Sequence, residues 1–80
     1  MNMESANLKQ IFGQAVKKYR QEKSISQEKL AEITGLHRTY ISEVERGTRN
    51  VSLINIIKIA KGLDINSSQI FMEMERNNGG

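Results

Sequence analysis

The sequence predicts an all-α fold: five short helices in one small domain, with a tightly joined helix pair at helices 2 and 3. Three observations carry this. Apolar residues recur at spacings of three and four through most of the chain, the period of a helix with one buried face. Four times an apolar residue precedes a capping position and a second apolar residue follows five places after the first: Ile25/Ser26/Leu30, Leu36/His37/Ile41, Val51/Ser52/Ile56 and Ile65/Asn66/Ile70. Each triplet is a hydrophobic staple around an N-cap. Gly35, Gly47 and Gly62 stand just past periodic stretches, where a helix ends in a cap.

In chain order, residues 1–6 lack the pattern and read as a frayed end. A first helix spans about 7–23, with Leu8, Ile11, Phe12, Ala15, Val16 and Tyr19 on one face; Ser24-Ile25-Ser26 stops it. A second spans about 27–34, with Leu30, Ala31 and Ile33 apolar, and Gly35 ends it. Leu36 returns to the core, and a third helix over about 38–46 points Ile41 and Val44 inward. Ala31, four residues before Gly35, suits the close crossing that such a pair requires. The fourth helix, about 53–61, has Leu53, Ile56, Ile57 and Ala60 on one face, with Ile59 at its border and Ile54 apart; Gly62 caps it. The fifth, about 67–75, carries Ile70, Phe71 and Met74, and Gln69 completes a capping box with Asn66. The domain is expected over 1–76, with 77–80 (Asn-Asn-Gly-Gly) as a disordered tail.

Eighty residues give a thin margin of stability, and no cysteine is available for a disulfide or a thiolate metal site. The core must come from helix packing, with oligomerisation as a further aid. No basic-then-apolar leader stands at the start, and the longest apolar run, Leu53–Ala60, is interrupted by Asn55 and Lys58. A cytoplasmic protein with no membrane association is expected. The net charge of +3 is uneven: Lys9, Lys17, Lys18, Arg20 and Lys23 against Glu4 and Glu22 supply all of it, and the rest of the chain balances. A basic segment beside a donor-rich helix favours phosphate contact, although a charged helix face is more often simply solvated.

The outer face of the third helix holds Arg38, Thr39, Ser42, Glu43 and Arg46. It is short, polar and free of leucine and isoleucine. Periodicity alone fits a solvated helical hairpin as well as a helix that reads base edges in a major groove; the full Ala-Gly-Leu-Ile-Val spacing favours the second. Arg38 is the first candidate for base recognition. Its planar fork can donate twice to guanine, and a cation at a helix start opposes the helix dipole unless it serves another purpose. Thr39 and Ser42 are small donors suited to phosphate or base. Tyr40 lies four residues before Val44, at the core margin, with its hydroxyl free for a phosphate. Glu43 repels phosphate, so it either accepts from cytosine or pairs with an arginine. His37 is a weak cap that alternatively points toward DNA; alone, it makes no metal site. Arg49 and Asn50, in the loop after this helix, are placed to donate to the DNA backbone or to be plain surface.

Gln27–Arg46, QEKLAEITGLHRTYISEVER, resembles the helix-turn-helix of the phage Cro and repressor family, the XRE-like proteins, over roughly residues 8–75. The run HRTYISEVERGTRN, residues 37–50, is most similar to the controller proteins of restriction–modification systems. The resemblance implies a repressor-like DNA-binding domain. It assigns Gln27 to a phosphate, Arg38, Thr39, Tyr40 and Ser42 to the groove, and Arg46, Arg49 and Asn50 to the backbone or an outer base. It also implies a structural ion pair between Arg20 and Glu45, and a homodimer interface on the fifth helix that uses Ile70, Phe71 and Met74, with the outlying Ile54. The partners implied are a near-palindromic double-stranded operator and a second copy of the chain. RNA polymerase is a further one, through acidic residues such as Glu28, Glu32 or Glu43. No cofactor is expected.

Two other classes compete. One is a stand-alone phage-type repressor, or an antitoxin or adaptor whose main partner is a protein; the polar third-helix face offers such a partner little apolar anchor. The other is an enzyme. The sequence has no nucleophile–base pair, no phosphate-cradling glycine loop and little chain for a water-excluding pocket.

Overall fold

A computed structural model of the chain describes residues 5–77, with side chains from Asn7 onward. Its five helices are α1 (Ser5–Glu22), α2 (Gln27–Thr34), α3 (Arg38–Arg46), α4 (Leu53–Gly62) and α5 (Ser67–Asn77), with no strand among the described residues. The fold is all-α, as the spacing of apolar residues requires.

The helix starts follow the caps. Ser26 Oγ accepts from Lys29 N at 2.9 Å and Ser52 Oγ accepts from Asn55 N at 3.2 Å. His37 holds the N-cap position of α3 without a side-chain capping bond, because an imidazole does not reach back as a short hydroxyl does. At α5, Gln69 Oε1 accepts from Asn66 N at 2.9 Å, the glutamine half of the capping box. Gly35 and Gly47 end α2 and α3 in the left-handed region, at φ 77° and 79°.

The ends differ from the expectation in three places. α1 already includes Ser5 and Ala6; the rest of the supposed frayed end, residues 1–4, lies outside the described chain. Gly62 is not the cap of α4 but its last helical residue, and the left-handed turn falls at Asp64, φ 57°. A Cβ on Gly62 would sit 2.7 Å from Thr34 Cγ2, so this glycine lets α4 pass close to α2. Asn77 belongs to α5 rather than to a tail, its Nδ2 donating to Glu73 Oε2 at 3.0 Å, and residues 78–80 lie outside the described chain.

The core joins Phe12, Ala15 and Val16 of α1 to Leu30, Ala31, Ile41, Val44, Ile59, Ala60, Leu63 and Ile70. One sequence reading fails here. α4 is turned from its expected face: Leu53 is 71% exposed and Ile57 lies outside the core, while Ile59 is fully buried. In α2 the apolar Ile33 is half exposed. Ile56, Ile59, Ala60 and Leu63 form a stripe as regular as the predicted one. α4 is apolar on most sides, so periodicity does not choose between its faces.

Gly13 was not singled out from sequence. A Cβ there would clash with the carbonyl oxygen of Val44 and lie 2.8 Å from that of Glu45. α1 therefore runs directly against the last turn of α3. A glycine inside a helix weakens it by about 1 kcal/mol relative to alanine, and that unfavourable choice was the available signal of a close backbone approach.

Candidate nucleic-acid interface

α3 is held from behind. Ile41 and Val44 enter the core, and Glu45 beside them is a buried carboxylate. Arg20 of α1 donates to it twice, from Nε to Oε2 at 2.6 Å and from Nη2 to Oε1 at 3.0 Å. Arg20 Nη1 also donates to the carbonyl of Ile25 at 2.9 Å, tying down the turn between α1 and α2. The hydrogen bond to Glu45 holds the Arg20 proton more tightly than usual, against the opposing effect of burial. Gln27, assigned above to a phosphate, is half-buried and donates from Nε2 to Glu45 Oε1 at 3.0 Å. One carboxylate thus collects donors from α1 and α2 at the end of α3.

The opposite side of α3 is open. Arg38, Thr39 and Arg46 are exposed, and Tyr40, Ser42 and Glu43 are half-buried. Arg46 Nη1 donates to Ser42 Oγ at 2.7 Å, one helical turn back, which orients the guanidinium along the helix. Among the described residues Arg38 pairs only with Glu28, 3.9 Å away between two well-exposed side chains, a weak contact that leaves its fork available. His37 is exposed beside Arg38.

The loop after α3 folds back on the helix. Thr48 donates to the carbonyl of Glu43 from both its backbone N and its Oγ1, each at 3.1 Å. Arg49 then reaches Glu43, Nε to Oε1 3.3 Å, and its guanidinium carbon lies 4.8 Å from the Tyr40 ring centre. Glu43 has therefore taken the arginine-paired alternative. Asn50 is exposed next to Arg49. One contact at this face was missed from sequence: Asn55 of α4 donates from Nδ2 to the Tyr40 hydroxyl at 3.0 Å. In the sequence Asn55 is only a polar interruption of an apolar run, with nothing to connect it to a tyrosine in another helix.

A second surface lies on α4 and α5. Ile54 is 68% exposed, and Phe71 and Met72 are exposed beside the half-buried Met74. A groove of about 270 Å³ lies between α1, α5 and the loop after α3, lined by the apolar Leu8, Phe12, Phe71 and Met74 and also by Arg49 and Asn50. Ile70, assigned above to a dimer interface, is fully buried in the core of its own protomer, because the face of α5 that meets α1 carries it inward. That same inward face holds a buried carboxylate that the sequence did not announce, Glu73, which Lys18 reaches at 2.9 Å. Arg38 and Arg46 do not line the groove, whereas Arg49 and Asn50 do, so the loop after α3 borders the apolar patch. No described helix is long and apolar enough to cross a membrane.

A helix-turn-helix family model matches residues 16–70. The control protein C.BamHI of Bacillus amyloliquefaciens is 60% identical over 60 residues, 74% of either chain. The crystal structure of the restriction–modification controller protein C.AhdI from Aeromonas hydrophila superimposes with a TM-score of 0.76 at 50% identity, covering 78% of this chain and 94% of that one. The controller protein C.Esp1396I, solved as a tetramer in complex with its natural 35 base-pair operator, gives a TM-score of 0.81 at 36% identity, covering 86% of this chain and 91% of that one. The matched stretch contains the buried Arg20–Glu45 junction, the whole α2–α3 pair and the open face of α3. The chain belongs to the helix-turn-helix family, among its restriction–modification controller proteins.

Proposed function

We propose that this chain is the autoregulatory controller of a restriction–modification system, a homodimer that binds a near-palindromic operator and acts as activator and repressor. The observation that carries the reading is the open face of α3, where Arg38, Thr39 and Arg46 stand exposed while the opposite face is locked to α1 and α2 through Glu45. A helix fixed from behind and lined with donors in front enters a major groove as a rigid reader. Arg38 donates in bidentate fashion to guanine, Thr39 and Ser42 contact base or phosphate, and Arg46, Arg49 and Asn50 hold the backbone. Two-fold symmetry places two such helices about 34 Å apart, one turn of DNA. Ile54, Phe71 and Met74 supply the contact between copies. The protein acts by binding rather than catalysis, in the cytoplasm with the DNA it regulates.

The test is a gel-shift titration against the DNA immediately upstream of the coding sequence, at two salt concentrations, with scrambled duplex as competitor. Competitor-resistant binding in steps of dimer size supports the reading, and two cooperative steps support the controller assignment. Binding that disappears equally for both sequences as salt rises leaves only a basic surface and rejects it. Substituting Arg38 by alanine should reduce discrimination by about 1–3 kcal/mol while retaining non-specific affinity.

A further inference from the structure

We propose that Asn55, in the first turn of α4 and outside the helix pair, is a positioning residue for DNA recognition that sets the Tyr40 hydroxyl as an outward-facing donor. The proposal rests on the reading of α3 as the DNA-facing helix. Its ground is the convergence of three elements on one side chain. From α3, the Tyr40 ring leaves the core margin half-buried. From the following loop, Arg49 stacks on that ring at 4.8 Å while Glu43 holds the guanidinium at 3.3 Å. From α4, Asn55 Nδ2 donates to the hydroxyl at 3.0 Å.

The chemistry follows from what each group can offer. A phenol has one proton to donate and an oxygen that accepts. The Asn55 amide fills an acceptor site on that oxygen, so the phenol's own proton is left to point elsewhere. The backbone N–H of Asn55 is already satisfied by Ser52 Oγ at 3.2 Å, and the N-cap holds this first turn of α4 in place. The partners a donor meets on DNA are acceptors: phosphate oxygens, and guanine O6 and N7 or thymine O4 in the groove. With the ring held by Arg49 and the hydroxyl held by Asn55, Tyr40 presents that donor without losing rotamer freedom on binding, and preorganisation of this kind raises affinity.

The arrangement also explains why a glutamate is tolerated on this face. Glu43 is engaged by Arg49, and Arg49 is the residue that completes the Tyr40 clamp. The carboxylate is thus part of the support of the donor rather than a free negative charge facing phosphate.

The experiment is a pair of double-mutant cycles, N55A with Y40F and N55D with Y40F, read by titration of a duplex from immediately upstream of the coding sequence against a scrambled duplex. Thermal melts of each variant accompany the titrations. With Tyr40 present, N55A should weaken binding to the upstream duplex by about 3–10-fold, the range of one hydrogen bond. In the Y40F background the same change should alter binding by less than about twofold. N55D keeps the shape of the side chain but turns the donor into an acceptor of the tyrosine proton. Its loss should be larger beside Tyr40 than in the Y40F background, where only its charge acts. A role confined to the stability of α4 would lower the melting temperature and weaken binding by the same factor in both backgrounds. That result, or unchanged binding by N55A, overturns the proposal. If N55A does not fold, the isosteric N55D cycle decides alone. A wild-type chain that fails to distinguish the two duplexes rejects the functional reading and this role together. A wild-type chain that distinguishes them, with additive cycles, rejects only the role of Asn55.

Discussion

Arg20 Nε lies 2.6 Å from Glu45 Oε2, so a side chain of α1 closes on the last turn of α3 across 25 residues of sequence. Neither partner is well exposed, with side-chain accessibilities of 12% and 3%. A pair taken out of water contributes little net stability, yet breaking it strands a buried charge. R20A should therefore destabilise the protein by about 3 kcal/mol, the low end for a broken buried pair because Gln27 still donates to Glu45. Urea unfolding should show the midpoint fall with the slope unchanged. R20K keeps the charge but loses the fork, and should lie between the two.

Gly13, where α1 meets α3, and Gly35, at the end of α2, should respond differently to alanine. G13A places a methyl group against the carbonyls of Val44 and Glu45, where backbone has to move, and should cost about 2–3 kcal/mol. Gly35 has open space around its Cβ position, and only its φ of 77° opposes a side chain. G35A should cost about 1 kcal/mol, the penalty of a left-handed alanine. Operator binding should fall with G13A at temperatures where the protein remains folded, because α1 packs directly against α3, the helix proposed to enter the groove.

Lys18 and Glu73 should give the protein an acid-sensitive joint between α1 and α5. The Lys18 hydrogen bond, together with Asn77 and the nearby charge of Arg76, holds the Glu73 carboxyl below its ordinary value of 4.5, against the opposing effect of burial. A depressed carboxyl stabilises the fold above its unfolded pKa, and the contribution is lost as pH falls through its folded value. Thermal midpoints should be level from neutrality to about pH 5 and then decline, and E73Q should remove part of that decline. Lys18 behaves in the opposite sense. The bond to Glu73 raises it above 10.5, so its contribution is present below that value and lost in strong alkali.

Ile54 and Ile70 separate association from folding. I54K introduces charge at a side chain that is 68% exposed, and should shift sedimentation from dimer to monomer while the melting temperature of dilute protein barely changes. I70A opens a cavity at a side chain with no exposure, and should destabilise the protomer by about 2–5 kcal/mol. A dimer that survives I54K and F71D would place the interface elsewhere.

Local sequence was enough for the five helices, for the starts of the four that follow a staple, and for the family. Staples, N-caps and terminal glycines act within a few residues, so the information needed to read them is local, and QEKLAEITGLHRTYISEVER carries both the turn and the donor-rich face in one continuous run. Tertiary structure decided what local spacing leaves open. α4 is apolar on more than one side, and only its contacts with α2 and α5 chose Ile59 over Leu53 for the core. Gly13 and Gly62 became packing sites because another helix passes there. Asn55 met Tyr40 across 15 residues and Lys18 met Glu73 across 55, distances that no helical period encodes. Such pairs exist only once the crossing angles of the helices are set, and those angles follow from how the whole core packs.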